Sequence, residues 1–158
     1  MHPTAQRVAE AARQLGLDIT IKEFEATTRT AEDAARVIGC EVAQIVKSLV
    51  FVVNGQPTLA LVSGPNRLDE KKLAALCGVS RKKVTRADAD TAREATGFAI
   101  GGVPPFGHKT SLPTYIDQDF WQFKVIWAAA GTPNAVFDIA PDDLAQITGG
   151  TVTDLKIE

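Results

Sequence analysis

Between Ile45 and Val62 the chain carries two apolar runs separated by Asn54-Gly55, and this pairing restricts the fold more than any other stretch. The first run, Ile45, Val46, Leu49, Val50, Phe51, Val52 and Val53, is interrupted only by Lys47-Ser48. Its β-branched content favours a strand over a helix, and the lack of alternation favours one buried on both faces. Asn-Gly tolerates the positive backbone angles of a tight turn, so Thr58 to Val62 is expected to return as the hairpin partner. Lys47 then stands at the mouth of a core strand.

The other segments supply helices and further strands. Val8, Ala11, Ala12 and Leu15 recur at helical spacing and Gly16 follows, which predicts a helix from about Thr4 to Leu15. Asp18 to Glu25 alternates as a half-buried strand does, and Thr27-Thr28-Arg29 is a polar connector. Thr30 with Asp33 resembles a helix cap, predicting a helix through about Gly39. Ser63-Gly64-Pro65-Asn66 breaks the pattern before a helix over Leu68 to Leu76 that Gly78 ends. A short strand near Val84 and a surface helix over Asp88 to Thr96 come next. Tyr115-Ile116, Lys124 to Ala129 and Ala135 to Ile139 read as strands, with a turn at Gly131-Thr132-Pro133-Asn134. Pro141 and Asp142-Asp143 open a last helix, closed by Gly149-Gly150. No repeat or linker divides the 158 residues, so the expectation is one α+β domain around a mixed sheet.

Composition limits the classes of function. No apolar run reaches membrane-spanning length and no secretory signal opens the chain, so the expected location is the cytoplasm with no membrane partner. Cys40 and Cys77 stand far apart, and His2 and His108 are the only histidines, which argues for reduced thiols and against a structural zinc site. A net charge of −2 speaks against nucleic-acid binding driven by global charge. Arg67, Lys71, Lys72, Arg81, Lys82, Lys83 and Arg86 nevertheless crowd the middle of the chain, as a phosphate-facing surface or as a solvated helix face.

Two features carry chemistry. The segment from Gly97 to Thr110 holds four glycines and the pair Pro104-Pro105, which excludes an ordinary helix or central strand. Gly101-Gly102 would leave main-chain N–H groups unshielded, able to grip a carbonyl or hydroxyl; the alternative is a plain connection between strands. Lys47, with apolar flanks, is either a partly desolvated cation for a reacting carbonyl or phosphate or a lysine that snorkels to water. Ser48, Ser63, Ser80 and Ser111 lack a nucleophile-elbow motif, which leaves serine-histidine-acid catalysis little support.

Thr28-Arg29-Thr30-Ala31, Ile45 to Phe51, Ser63-Gly64-Pro65-Asn66-Arg67-Leu68-Asp69, Gly97 to Pro105 and Ala130-Gly131-Thr132-Pro133 together resemble the YbaK/ProX family of aminoacyl-tRNA deacylases, related to the editing domain inserted in bacterial prolyl-tRNA synthetases. The resemblance runs in order over nearly the whole chain. It implies a largely antiparallel, barrel-like sheet with surrounding helices, and hydrolysis of mischarged tRNA, typically tRNA for proline carrying a small amino acid (Ala, Cys or 2-aminobutyrate), with prolyl-tRNA synthetase as a partner. It implies catalysis at Lys47 with Gly101 and Gly102, and substrate contacts at Phe24, Thr28, Thr30, Ser63, Val103, Pro104, His108, Ala129 and Gly131. Neither metal nor cofactor is implied; the nucleophile is water or a substrate group such as a ribose hydroxyl. An ester carbonyl gains negative charge during attack, and preorganised N–H donors or a cation stabilise it.

Two positions depart from the family pattern. Ala129 stands where the cysteine-clearing subgroup has a serine, and the histidine of the synthetase insert is not evident in Thr132-Pro133-Asn134. Strict cysteine specificity is therefore not expected, and Ala129-Ala130 would leave an apolar pocket for a small side chain. A noncatalytic module binding tRNA ends or nucleotides, associated with a synthetase, is the alternative reading, motivated by the basic cluster.

Overall fold

The computed structural model describes residues 1–25, 28 and 30–158. In chain order the α-helices are α1 (Pro3–Gln14), α2 (Ala31–Ile38), α3 (Glu70–Cys77), α4 (Ala89–Thr96) and α5 (Pro141–Thr148). The strands are β1 (Ile21–Glu23), β2 (Val46–Val53), β3 (Gln56–Ser63), β4 (Val84–Arg86), β5 (Thr114–Asp117), β6 (Ile126–Ala129), β7 (Ala135–Ile139) and β8 (Thr151–Thr153). Of the polar connector, Thr27 and Arg29 lie outside the described residues, as does the neighbouring Ala26.

The expected hairpin forms the centre. β2 and β3 pair antiparallel from Val46↔Ser63 to Val53↔Gln56. Asn54 (φ 49°) and Gly55 (φ 82°) make the turn, both in the left-handed region that the tight hairpin turn requires. Side chains alternate across the sheet: Val46, Val50, Leu59 and Leu61 enter one core with α1, α4 and α5, while Phe51, Val53, Ala60 and Val62 enter a second core with α3. Burial on both faces is why the run lacks polar alternation. Leu59 and Leu61 are fully enclosed, each contributing about 1.5–3 kcal/mol by removal from water.

Two sheets result. One runs β4-β2-β3-β5-β8, with β5 parallel to β3 and β8 parallel to β5; the other is antiparallel, β1-β7-β6. Among the described residues a single parallel bridge, Ile45↔Trp127, links them. The arrangement is α+β with a mixed sheet as expected, but it is not closed as a barrel. β3 occupies one edge of β2 along its whole length. On the other edge β4 pairs with Phe51–Val53, and β6 packs beside the start of β2 but, among the described residues, is bridged only at Ile45. Between them, among the described residues, the edge from Val46 to Leu49 has no ladder partner, while the Val50 carbonyl accepts the Ala87 N–H at 3.0 Å.

Boundaries differ from expectation where pairing partners are remote. The strand expected over Asp18 to Glu25 shortens to β1, because only Ile21, Lys22 and Glu23 meet β7. β8 was not foreseen: it is three residues long, two of them exposed, and exists by pairing with β5.

Candidate active site

The unpaired edge of β2 opens into a cavity of about 570 Å³. Its walls come from α2, the start of β2, the Gly64–Arg67 turn, Arg86, the Ile100–Val103 loop, and the end of β6 with its following turn. Each wall is held by local chemistry. Thr30 Oγ1 accepts the Asp33 N–H at 3.0 Å and caps α2, and Gly39 (φ 85°) ends that helix. Thr28 Oγ1 donates to the Pro133 carbonyl at 2.6 Å, tying the connector to the β6–β7 turn.

Lys47 projects from β2 on the side of the Gly64–Arg67 turn, and its amine donates to the Asn66 carbonyl. Burial pushes this amine below its ordinary value of 10.5; Glu32 opposes that shift, while the neighbouring Arg86 adds to it. An ammonium with one N–H committed to a carbonyl keeps its other donors for a ligand. The adjacent Ser48 also lines the cavity, and its Oγ is enclosed with no partner among the described residues.

Lys47 and Gly101 line the same cavity, together with Thr28, Thr30, Val103 and Ala129. Gly101 sits at the third position of a turn closed by the Gly102 N–H to the Ala99 carbonyl at 3.0 Å, with φ 94°. Such a turn needs a positive φ there, so glycine is the residue that fits, and it leaves the backbone bare toward the cavity.

Gly102 differs from expectation. Its N–H is committed to Ala99, it is buried, and it does not line the cavity. A Cβ there would stand 2.6 Å from the Gly131 carbonyl oxygen, so Gly102 lets two turns pack backbone to backbone. Gly131 (φ 95°) is buried beneath α1, where its Cβ would lie 2.7 Å from Thr4 Cγ2.

Four other expected contacts also fall outside the cavity. Ser63 is buried, donating its Oγ–H to the Ala43 carbonyl at 2.6 Å and its N–H to Asp117 at 3.0 Å. Phe24 pairs by its backbone with Asn134 at 2.8 and 2.9 Å, but its side chain is not a wall. Pro104 is buried, and its carbonyl accepts from His108 Nε2 at 2.6 Å. His108 borders a separate depression of about 310 Å³ between α1 and the Pro105–Leu112 segment. Burial lowers the His108 pKa, against the raising effect of the Pro104 bond.

The structure adds Asn66, Arg67, Arg86 and Trp127 to the walls. Arg86 lies 5.6 Å over the Phe51 ring and Lys22 lies 5.0 Å over Trp127. The basic cluster therefore divides: Arg67 and Arg86 border the cavity, whereas Lys72 pairs with Asp154 and Glu158, and Arg81 with Glu70.

A family model described as an aminoacyl-tRNA editing domain matches residues 25–147, a span that takes in every wall of the cavity. The chain belongs to that family. This editing domain is 33% identical over 127 residues to a candidate Cys-tRNA(Pro)/Cys-tRNA(Cys) deacylase, EbsC, of Enterococcus faecalis, covering 80% of the chain and 76% of that protein. It is 36% identical over 130 residues to a proline–tRNA ligase of Elusimicrobium minutum, covering 81% of the chain but 22% of the ligase. A solved structure titled as a candidate trans-editing enzyme for prolyl-tRNA synthetase superposes with a TM-score of 0.94 at 47% identity, over 100% of this chain and 99% of that one. Among the described residues no helix is long and apolar enough to cross a membrane.

Proposed function

We propose that this aminoacyl-tRNA deacylase acts in trans, as one domain over residues 1–158, on tRNA for proline carrying a small amino acid such as Ala, Cys or 2-aminobutyrate. The observation that carries the proposal is that the Lys47 amine and the bare Gly101 backbone open into one cavity, beside the small side chains of Ala128 and Ala129. In this reading the aminoacyl ester enters along the unpaired edge of β2. Its carbonyl lies between Lys47 and Gly101, and its side chain faces Val103, Ala128 and Ala129. Water, oriented by a neighbouring ribose hydroxyl of the substrate, adds to the carbonyl carbon. The bond to the ester ribose oxygen breaks, and that oxygen takes up the proton the water gives up, so the amino acid leaves as a free acid. Lys47 donates to the oxygen on which negative charge develops, in a site partly withdrawn from water. Ala129 offers no hydroxyl to bind a polar side chain, which supports an apolar acyl group. One methylene in such a pocket changes selectivity by only about 1–3 kcal/mol, so several small residues are accepted. The EbsC and proline–tRNA ligase relatives support tRNA for proline as the carrier and prolyl-tRNA synthetase as the partner upstream.

The test is a deacylation panel on tRNA for proline charged with Ala, Cys, Ser or 2-aminobutyrate. Ala, Cys or 2-aminobutyrate should be released faster than Ser, and Lys47→Ala should lower the rate by about 10²–10³-fold with the fold intact. Equal rates for wild type and Lys47→Ala would remove the lysine from the mechanism.

A further inference from the structure

The Lys47 amine is held by a backbone carbonyl, that of Asn66, and the side chain of the same Asn66 is anchored from behind. Both hydrogens of its amide are used: Nδ2 donates to Asp117 Oδ2 at 2.9 Å and to Asp119 Oδ2 at 2.8 Å. Asp117 is 1% exposed. It also accepts the Ser63 N–H at 3.0 Å and the Asp119 N–H at 2.9 Å, so three N–H donors support its buried charge. Asp119 brings a second carboxylate to the same amide. Two anions sharing one neutral donor repel, unless a cation balances one of them. Lys156 supplies it, with Nζ 3.0 Å from Asp119 Oδ2. The Asn66 bond, and then Lys156, hold the Asp119 carboxyl below its usual range.

Lys156 reaches this point because the segment after β8 is laced to the turn beyond Asn66. Leu68 and Lys156 form a β-bridge, Asp69 N–H donates to Leu155 O at 2.7 Å, and Ile157 N–H donates to Arg67 O at 2.9 Å. Lys156 itself does not line the cavity. We propose that Lys156 is a positioning residue for Lys47, acting through Asp119 and the amide of Asn66. Loss of its charge frees Asp119, lets the Asn66 amide turn, and displaces the carbonyl that aims the Lys47 amine. The proposal rests on the catalytic reading of Lys47, and its test has one arm independent of turnover.

Lys156→Met and Asp119→Asn should each lower kcat for release of alanine from alanyl-tRNA for proline by about tenfold, since small misplacements of a reacting group cost rates of this order. KM should stay within about twofold, because neither side chain lines the cavity. Lys156→Arg, which keeps the charge, should restore kcat. In the second arm, the rate at which acetic anhydride modifies Lys47, followed by peptide mass spectrometry, should rise about threefold in Lys156→Met and return to normal in Lys156→Arg, as expected when the amine loses a fixed acceptor. Wild-type kcat and labelling in both charge-removing variants would overturn the proposal, as would equal losses in Lys156→Met and Lys156→Arg. A wild-type protein inert on every mischarged tRNA would overturn the deacylase reading alone, and the labelling arm would then decide whether Lys156 positions Lys47.

Discussion

Gly101 and Gly102 are neighbours with different obligations. At Gly101 the constraint is conformational: φ is 94°, yet the nearest atom to an added Cβ is Pro133 Cγ at 3.9 Å. At Gly102 it is steric, with Gly131 O at 2.6 Å and Thr132 Cα at 2.9 Å, both backbone atoms unable to swing aside. Gly102→Ala should therefore force the two turns apart, costing about 1–3 kcal/mol. A thermal melt should show a midpoint lower by roughly 2–10 °C for a chain of this size; an unchanged midpoint would show that the two turns are not in register as described. Lys47 was legible in the sequence because a charge inside an apolar strand is anomalous on its face. Asn66 was not legible as a site residue, because it acts through its carbonyl and through carboxylates 51 and 53 positions away. The commitment of the Gly102 N–H to Ala99 was not legible, because the sequence shows which residues lack side chains but not which amides are already spent.

Among the elements, the Gly97–Thr110 connection shows how a loop without helix or strand is nonetheless fixed. Phe98, Val103 and Phe106 are buried in the main core, and His108 bonds the Pro104 carbonyl from behind. Burial depresses the His108 pKa below the 6.5 of the unfolded chain, despite the bond to Pro104. Protonation then favours unfolding: the contribution is fully present above pH 6.5 and is lost as pH falls below it. His108→Gln keeps a donor for Pro104 but does not titrate. Denaturant melts from pH 7.5 to 5.5 should show a shallower fall in stability for this variant, by up to about 1.4 kcal/mol per pH unit; parallel slopes would mean that His108 titrates normally. The central hairpin could be read from sequence because its strands adjoin and its turn has a chemical signature. β8 could not, since three residues without an apolar pattern become a strand only when β5 lies beside them. The 3₁₀ segment Gln118–Gln122, which carries Asp119 to the Asn66 amide, escaped for the same reason.

At the scale of the molecule, charge is distributed more selectively than the sequence suggests. A chain of net charge −2 places two exposed arginines, Arg67 and Arg86, at the border of the Lys47 cavity, while Lys72 and Arg81 of the same basic cluster are engaged in surface ion pairs. If those two meet phosphates, Arg67→Ala with Arg86→Ala should weaken tRNA binding for every aminoacyl group alike. The slope of log affinity against log salt should fall by about 1–2, because each lost phosphate contact withholds one counterion release. A slope equal to that of the wild type would place the phosphates elsewhere. The opening lies where the β4 ladder has ended at Phe51 and, among the described residues, β6 is bridged only at Ile45. Its length is thus counted in rungs of a ladder and not in side-chain volume. Each further rung on either neighbour would shift a boundary by about 3.3 Å, a coarser adjustment than an exchange of lining side chains, and one that both cores would register, since Val84 of β4 and Ile126 and Ala128 of β6 are packed in them.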